Sequence, residues 1–160
     1  MKNVTIITDG SCLGNGKAMN YGGWAAILIY RDRKGQDHRS EFTGGDIKTT
    51  NNRMELSAVI GGMAKLTEAC NVTVITDSKY VCNTLGNVPK FVENGWHYPC
   101  GTGKPKNDDM LKSFWQLLTD KKHKVEFQHI NGHSGHPDNE RADALAKAEA
   151  RALKALEAAE

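Results

Sequence analysis

The chain has 160 residues, of which 39% are hydrophobic and 25% are charged, and these values are typical of one globular domain. A net charge of +2 permits a nucleic-acid partner without requiring one. No apolar run is long enough to cross a membrane and the chain does not open on a signal-peptide pattern, so we expect a cytoplasmic protein with no membrane partner. A monomer is the simplest expectation for its oligomeric state.

Hydrophobic patterning predicts three strands first, and then helices that alternate with two further strands. The predicted strands are 3–8, 23–31, 37–43, 72–76 and 124–129, with a glycine-rich turn over 10–23. The predicted helices are 51 to about 69, 78–86, 108–120 and 138 to near the end, with an irregular segment over 86–107. This order indicates an α/β fold with a five-stranded mixed sheet, antiparallel strands first and parallel strands after them, and helices on both faces. We expect residues 1–150 to form one domain and 151–160 to extend the last helix.

A short phrase occurs twice. Residues 3–9 and 71–77 are both β-branched runs that end on an aspartate, Asp9 in one case and Asp77 in the other. If these strands are parallel neighbours, both carboxylates emerge at the end of the sheet where ligands bind in open α/β folds. Because two carboxylates held together repel each other unless they share a proton or a cation, the sequence predicts a metal site there.

Two further acids occupy helical positions close to buried faces. Glu55 lies in the first turns of the first long helix, and Asp143 lies early in the last one. A helical carboxylate on its own is usually a solvated charge, so neither residue is informative in isolation.

Four motifs in order give these acids a context. They are Thr8-Asp9-Gly10-Ser11, Thr50-Asn51-Asn52-Arg53-Met54-Glu55-Leu56, Thr76-Asp77-Ser78-Lys79-Tyr80 and the segment from Gly132 to Asp143. With these motifs the chain closely resembles ribonuclease H type 1, the enzymes that cut RNA within RNA–DNA hybrids, from about residue 3 to about residue 148. The resemblance implies the ribonuclease H-like fold.

The resemblance also implies a catalytic mechanism with two metal ions. Mg²⁺ binds through a few carboxylates plus water and substrate oxygens, and Mn²⁺ is expected to substitute for it. Asp9 is expected to bridge the two ions when substrate is bound. Asp143 is expected to hold the ion on the nucleophile side, and Glu55 and Asp77 the other. The expected reaction is hydrolysis of the RNA strand to 5′-phosphate and 3′-hydroxyl ends.

The resemblance implies an auxiliary catalytic role for one histidine in the loop before the last helix. By resemblance, His133 is the catalytic histidine that assists water activation or product departure near neutral pH. Zinc is disfavoured for the group His129, His133 and His136, because Gly132, Gly135 and Pro137 prevent the continuous helix that this spacing would need.

Recognition of the hybrid is expected to depend on sugar and phosphate contacts, since the 2′-hydroxyl distinguishes RNA from DNA. By resemblance, Asn15, Asn51 and Glu55 contact the RNA strand. Cys12 and Asn52 approach the DNA strand or the groove, and Thr50, at a helix start, binds a DNA phosphate.

The segment 86–107 occupies the position of the family's basic protrusion, which holds the DNA strand. Trp96 is present, and Lys90, Lys104 and Lys106 supply some charge, but the adjacent lysines and arginines of relatives are replaced by 91–95. We therefore expect weaker and less salt-dependent binding than in a strongly basic relative. His129-Ile130-Asn131 is a second departure, ahead of the catalytic loop where relatives often carry Trp and Lys, and we expect this change to touch no ligand.

Two alternatives remain at this point. The first is a non-catalytic module that binds RNA–DNA hybrids, which would be expected to have lost a carboxylate. The second is another nuclease on the same fold, which would share the acids but not the Asn-rich helix start or the glycine/histidine loop.

Overall fold

The strands and helices follow one another in the predicted order. A computed structural model describes residues 1–98, 103–132 and 135–159. The strands are β1 (Lys2–Leu13), β2 (Tyr21–Arg31), β3 (Asp37–Ile47), β4 (Cys70–Thr76) and β5 (Lys124–His129). The helices are α1 (Asn51–Met63), α2 (Lys79–Gly86), α3 (Val88–Glu93), α4 (Asp108–Asp120) and α5 (Pro137–Ala158). The bounds of α4 and β5 are as predicted.

All five strands form one mixed sheet in the order β3-β2-β1-β4-β5. β1 pairs antiparallel with β2, and β2 with β3, whereas β1–β4 and β4–β5 are parallel. The repeated phrase lies at the centre of the sheet, where Asn3 pairs with Asn71 and Ile7 with Ile75. The two copies are therefore parallel neighbours in register, which is the arrangement that brings Asp9 and Asp77 to the same edge.

Helices cover both faces of the sheet. Because successive strand residues point to opposite faces, Ile6 and Ile7 of β1 enter two different core layers. Ile6 packs in a larger layer with α1 and α4, which contribute buried Leu56 and Phe114. Ile7 packs in a smaller layer against Ala142 of α5 and its neighbours.

The predicted turn over 10–23 is shorter than expected, because β1 continues past Asp9 to Leu13 and β2 begins at Tyr21. Gly14 and Gly16 lie in the turn, with φ of 75° and 87°. Gly10, Gly22 and Gly23 lie within strands, where helices approach closely. A Cβ on Gly22 would lie 2.6 Å from the Met54 side chain of α1, and one on Gly23 would lie 2.7 Å from the backbone of α5. Glycine is common in turns, but it also occurs where another backbone approaches a strand closely. Close approach is the reason for Gly22 and Gly23.

Helix α1 ends at Met63 and not near residue 69. Hydrogen bonds from Lys65 N–H to Gly62 O (3.2 Å) and from Leu66 N–H to Met63 O (3.1 Å) close its end with tight turns. The glycine pair Gly61-Gly62 within α1 allows close packing, since a Cβ on Gly61 would collide with the Trp24 ring.

Helix α5 runs without interruption to Ala158 and packs on the sheet through Ala142, Ala146 and Ala150, all buried. Small residues at this spacing let the helix approach the strands closely. None of the helices in the described part of the chain is both long enough and apolar enough to span a membrane.

Candidate active site

Three carboxylates meet at one end of the sheet. Asp9 lies in β1, and Asp77 directly follows β4. Because β1 and β4 are parallel and in register, these two residues reach the same edge. Glu55 joins them from α1, and one carboxylate oxygen of each residue lies within 4.8 Å of the others.

Two features of helix α1 position Glu55: the cap at its N-terminus and its contact with β1. Thr50 caps the helix, its hydroxyl accepting a hydrogen bond of 3.1 Å from Arg53 N–H. One turn later the helix backbone lies directly on Gly10, where a Cβ would be 2.5 Å from the Met54 carbonyl carbon. Gly10 also hydrogen-bonds Glu55 through its backbone. This glycine therefore sets the distance between Glu55 and Asp9.

Asp143 reaches the cluster from the opposite face of the sheet. It lies in the second turn of α5, and its carboxyl is within hydrogen-bonding reach of Asp9. Lys147 is its other neighbour, with Nζ 2.9 Å from Oδ2 of Asp143. Asp9 thus has Glu55 and Asp77 on one side and Asp143 on the other.

Burial and mutual repulsion disfavour ionisation of this cluster. Asp9 is 3% exposed and Glu55 is 9% exposed. Burial is the main cause that raises the pKa of Asp9 to about 7, and the negative charges of Asp77 and Asp143 add to it. The pKa of Glu55 is raised well above its usual range, first by burial and then by Asp9 and Asp77.

The donor set fits a hard divalent cation. Oε2 of Glu55 is buried and has no hydrogen-bond partner among the described residues. A buried acceptor of this kind is costly unless something satisfies it. Carboxylate oxygens converging on one point are the ligands that Mg²⁺ and Mn²⁺ prefer. The residues present therefore suit a divalent ion at Asp9, Glu55 and Asp77.

His129 lies in contact with this site, contrary to the sequence-based expectation. Its Nε2 is 3.1 Å from the main-chain oxygen of Asp77, to which it donates a hydrogen bond. The contact arises because β5 ends beside β4, with Thr76 and His129 paired across the ladder. Sequence alone offered no signal for it, since the pairing of β4 with β5 had to be known first.

Five of the predicted substrate contacts come together beside the carboxylates. Asn15, Thr50, Asn51, Asn52 and Lys106 line one depression of about 290 Å³ at the start of α1. Asn15 is held there by its side-chain oxygen, which accepts a hydrogen bond of 3.1 Å from Asn51 N–H. The turn after β1 is thereby joined to the helix that carries Glu55.

Cys12 stands close to the same turn. Its Sγ lies 3.4 Å from the side-chain oxygen of buried Asn20. Asn20 also accepts a hydrogen bond of 2.7 Å from Thr49 N–H, which fixes the turn against the chain entering α1. Cys12 is half-buried and does not line the depression.

Of the protrusion residues only Lys106 lines this depression, whereas Trp96, Lys90 and Lys104 do not. Trp96 is half-buried against the core, with Lys112 Nζ 5.6 Å from its ring centre, and Lys90 and Lys104 are exposed. Phe91 of α3 is buried and belongs to the core. His133 lies outside the described residues.

The comparisons with known proteins agree with this arrangement. Residues 1–151 match the sequence profile of the family described as RNase H. The chain belongs to the ribonuclease H family. Among its relatives, the ribonuclease H of Alcanivorax borkumensis is 44% identical over 150 residues, covering 91% of this chain and 90% of that protein. The ribonuclease H of Xanthomonas campestris pv. campestris is 41% identical over 159 residues, covering 96% of each.

Solved structures place this ribonuclease H with the type 1 enzymes. LC9-RNase H1, a type 1 RNase H with the type 2 active-site motif, matches with a TM-score of 0.81 at 30% identity, covering 95% of this chain and 74% of that one. The PFV RNase H domain matches with a TM-score of 0.76 at 23% identity, covering 95% and 96%, and shares the fold. The predicted ribonuclease H-like fold and the ribonuclease H activity, that of an endoribonuclease, are therefore confirmed.

The first prediction concerns Gly10. Replacing Gly10 with Ala places a methyl group against the α1 backbone, so the helix must move and displace Glu55. We expect the free energy of unfolding to fall by about 1–3 kcal/mol and ribonuclease activity to fall with it. Urea unfolding and a cleavage assay measure the two effects. Gly86→Ala is the control, since a Cβ there meets nothing within 4 Å, and equal losses in both variants would contradict the argument.

The second prediction concerns the charge of Asp9 without divalent ions. Its pKa is about 7 in the folded protein and about 3.9 in an unfolded chain. The folded state therefore loses stability as pH rises from about 4 to 7. Since Asn cannot ionise, we expect Asp9→Asn to be more stable than the parent at pH 7 by about 1–3 kcal/mol, and this gain to shrink towards pH 4.

Thermal unfolding in a chelating buffer at several pH values measures this difference. Asp37→Asn is the matched control, because Asp37 pairs with Arg31 in an exposed hairpin and its pKa is lowered by that contact. It should show no gain at pH 7. A parent protein as stable as Asp9→Asn throughout this range would refute the proposed repulsion.

Proposed function

We propose that this enzyme hydrolyses the RNA strand of RNA–DNA hybrids with two divalent ions, Mg²⁺ or in its place Mn²⁺. The observation that carries the proposal is the meeting of Asp9, Glu55 and Asp77 at one sheet edge, with Asp143 against Asp9 from the opposite face. The depression lined by amide side chains at the start of α1 lies beside this cluster and offers groups for sugar and phosphate contacts.

The position of Asp9 supports its role as a shared ligand. Glu55 and Asp77 would complete one metal site with it, and Asp143 would complete the other, on the nucleophile side. When bound, the ions would neutralise charge on the attacking and leaving oxygens of the phosphodiester. Lys147 forms an ion pair with Asp143, with Nζ 2.9 Å from Oδ2.

The bond changes account for the proposed products. A water oxygen forms a bond to phosphorus while the bond from phosphorus to the 3′ oxygen breaks. The phosphate stays on the downstream fragment as a 5′-phosphate. The attacking water gives up one proton, and the departing 3′ oxygen takes up one proton and becomes a 3′-hydroxyl.

Substrate positioning falls to the residues around the depression. Asn15 and Asn51, joined by their hydrogen bond, would face the RNA strand together with Glu55. Thr50, at the start of α1, would bind a DNA phosphate. Asn52 and Cys12 would lie towards the DNA strand or the groove. Trp96, Lys90, Lys104 and Lys106 would contact the DNA strand further along.

The third prediction tests the carboxylate site. Asp77→Asn removes one charge from the cluster, and we expect Mg²⁺-dependent cleavage of a hybrid to be lost while the fold is kept. The assay uses hybrids labelled on the RNA strand, beside RNA–RNA and DNA–DNA duplexes, in Mg²⁺ and in Mn²⁺. Asp37→Asn should cleave at the parent rate, as it lies at the far hairpin.

Three outcomes of this assay separate the candidates. Cleavage confined to the RNA strand of the hybrid, and lost in Asp77→Asn, supports the proposal. Cleavage of duplex DNA would indicate another nuclease on this fold. Binding without cleavage by the folded parent would indicate a hybrid-binding module.

The fourth prediction concerns His133, to which we assign an auxiliary role in water activation or product departure. We expect His133→Ala to slow turnover by about 10²–10⁴-fold without abolishing it, the usual size of a general acid–base contribution. Steady-state cleavage of the hybrid at saturating Mg²⁺ measures the rate. If His133→Ala were as inactive as Asp77→Asn, the auxiliary role would be wrong.

A further inference from the structure

One flank of α5 carries a row of basic residues that starts at the active site. Lys147, Arg151 and Lys154 are spaced by four and three residues, so they share one side of the helix. Lys147 contacts Asp143, which itself reaches Asp9. The basic flank, defined as these three residues, therefore leads away from the carboxylate cluster along the helix.

The opposite flank of α5 is attached to β3, which fixes the rotation of the helix. Three side-chain contacts make this attachment. They are Arg39–Asp138 (2.6 Å), Glu41–Arg141 (two bonds of 3.0 Å) and Thr43–Glu149 (2.8 Å). Since β3 is the edge strand on that side, the basic flank faces the other way, towards Asp9 and solvent.

The last turns of α5 are held against the sheet, so the basic flank has a fixed place. Leu153 lies on Gly45 of β3, where a Cβ would be 2.7 Å from its Cδ1. Glu157 hydrogen-bonds the side chain of Tyr21 at the start of β2. These contacts tie the helix to the end of β2 and β3 that lies next to the turn containing Asn15.

The charges at the end of the basic flank are available to a ligand. Arg151 and Lys154 are exposed, and neither has an ion-pair partner among the residues that the structure describes. Lys154 also lies beyond residue 151, where the match to the family ends. The protrusion, in contrast, offers only scattered lysines beside Glu93.

We infer that the basic flank of α5 is a second phosphate-binding surface for the nucleic-acid duplex, on the side of the active site away from the α1 depression. The inference rests on the proposed function. From Lys147 to Lys154 the helix rises by about 10 Å, which corresponds to about three base steps at 3.4 Å each. Two or three backbone phosphates next to the cleaved strand segment can therefore face the three cations.

The test measures how hybrid affinity depends on salt. The double variant Arg151→Gln/Lys154→Gln is made in the Asp77→Asn background, so that cleavage does not interfere. Binding of a labelled RNA–DNA hybrid is followed by fluorescence anisotropy over a range of NaCl concentrations. The control is Arg33→Gln/Lys34→Gln in the same background, which removes the same two charge types from an exposed turn at the far end of the sheet.

We expect the Arg151/Lys154 variant to bind the hybrid about three- to tenfold more weakly at low salt. The slope of log affinity against log salt should become shallower by about 1–2, because each phosphate contact contributes about 0.9. The exchange Arg151→Lys/Lys154→Arg keeps both charges and should keep the parent slope. The Arg33/Lys34 control should also keep it.

Two results would overturn the inference. If the Arg151/Lys154 variant and the Arg33/Lys34 control show the same slope while the Asp77→Asn parent binds the hybrid, the surface is wrong and the proposed function stands. If the Asp77→Asn parent fails to bind the hybrid although it is folded, both proposals fail together.

Discussion

The parallel pairing of β1 with β4 is the constraint on which the active site depends. Asp9 and Asp77 repel each other, and nothing in their own chemistry would bring them together. The β-branched residues before them form a buried ladder with Asn3 beside Asn71 and Ile7 beside Ile75. Burial of these strands holds the acids at one edge against their repulsion. Burial of Asp9 is the main cause of its raised pKa, and the charge of Asp77 adds to it.

Glycine determines how closely the two helices bring the other acids to this edge. Gly10 lets the α1 backbone lie on β1 beside Glu55, and Gly23 lets α5 lie on β2. A larger residue at either position would hold the helix further from the sheet. The distances from Glu55 and from Asp143 to Asp9 therefore depend on the lack of a side chain at Gly10 and Gly23 as well as on the packing of larger residues.

Much of the fold followed from local pattern, but the site did so only in part. The repeated phrase raised the possibility that β1 and β4 are parallel neighbours, and the structure shows that they are. The amphipathic run 108–120 predicted α4 with its correct bounds. The extension of β1 past Asp9 was missed because of Gly10. A glycine occurs both in turns and where another backbone packs closely, and a single sequence does not separate these two reasons. Glu55 and Asp143 became candidates only through the family resemblance, since a helical carboxylate is ordinarily solvated. The contact of His129 with Asp77 depends on β5 lying beside β4, which no local signal reveals.

The two helices approach Asp9 from opposite faces of the sheet, and this places limits on how a duplex can bind. The start of α1 offers amides and a capped N-terminus on one side, and α5 offers cations on the other. A duplex laid across the sheet edge at Asp9 would meet both faces at once, with the carboxylates between them. Neutral amides suit sugar hydroxyls, whereas Lys147 and the cations beyond it suit phosphates. Because the protrusion is weakly charged, α5 would contribute a larger share of the binding free energy for the duplex. The helix that carries Asp143 would then also fix the position of the duplex.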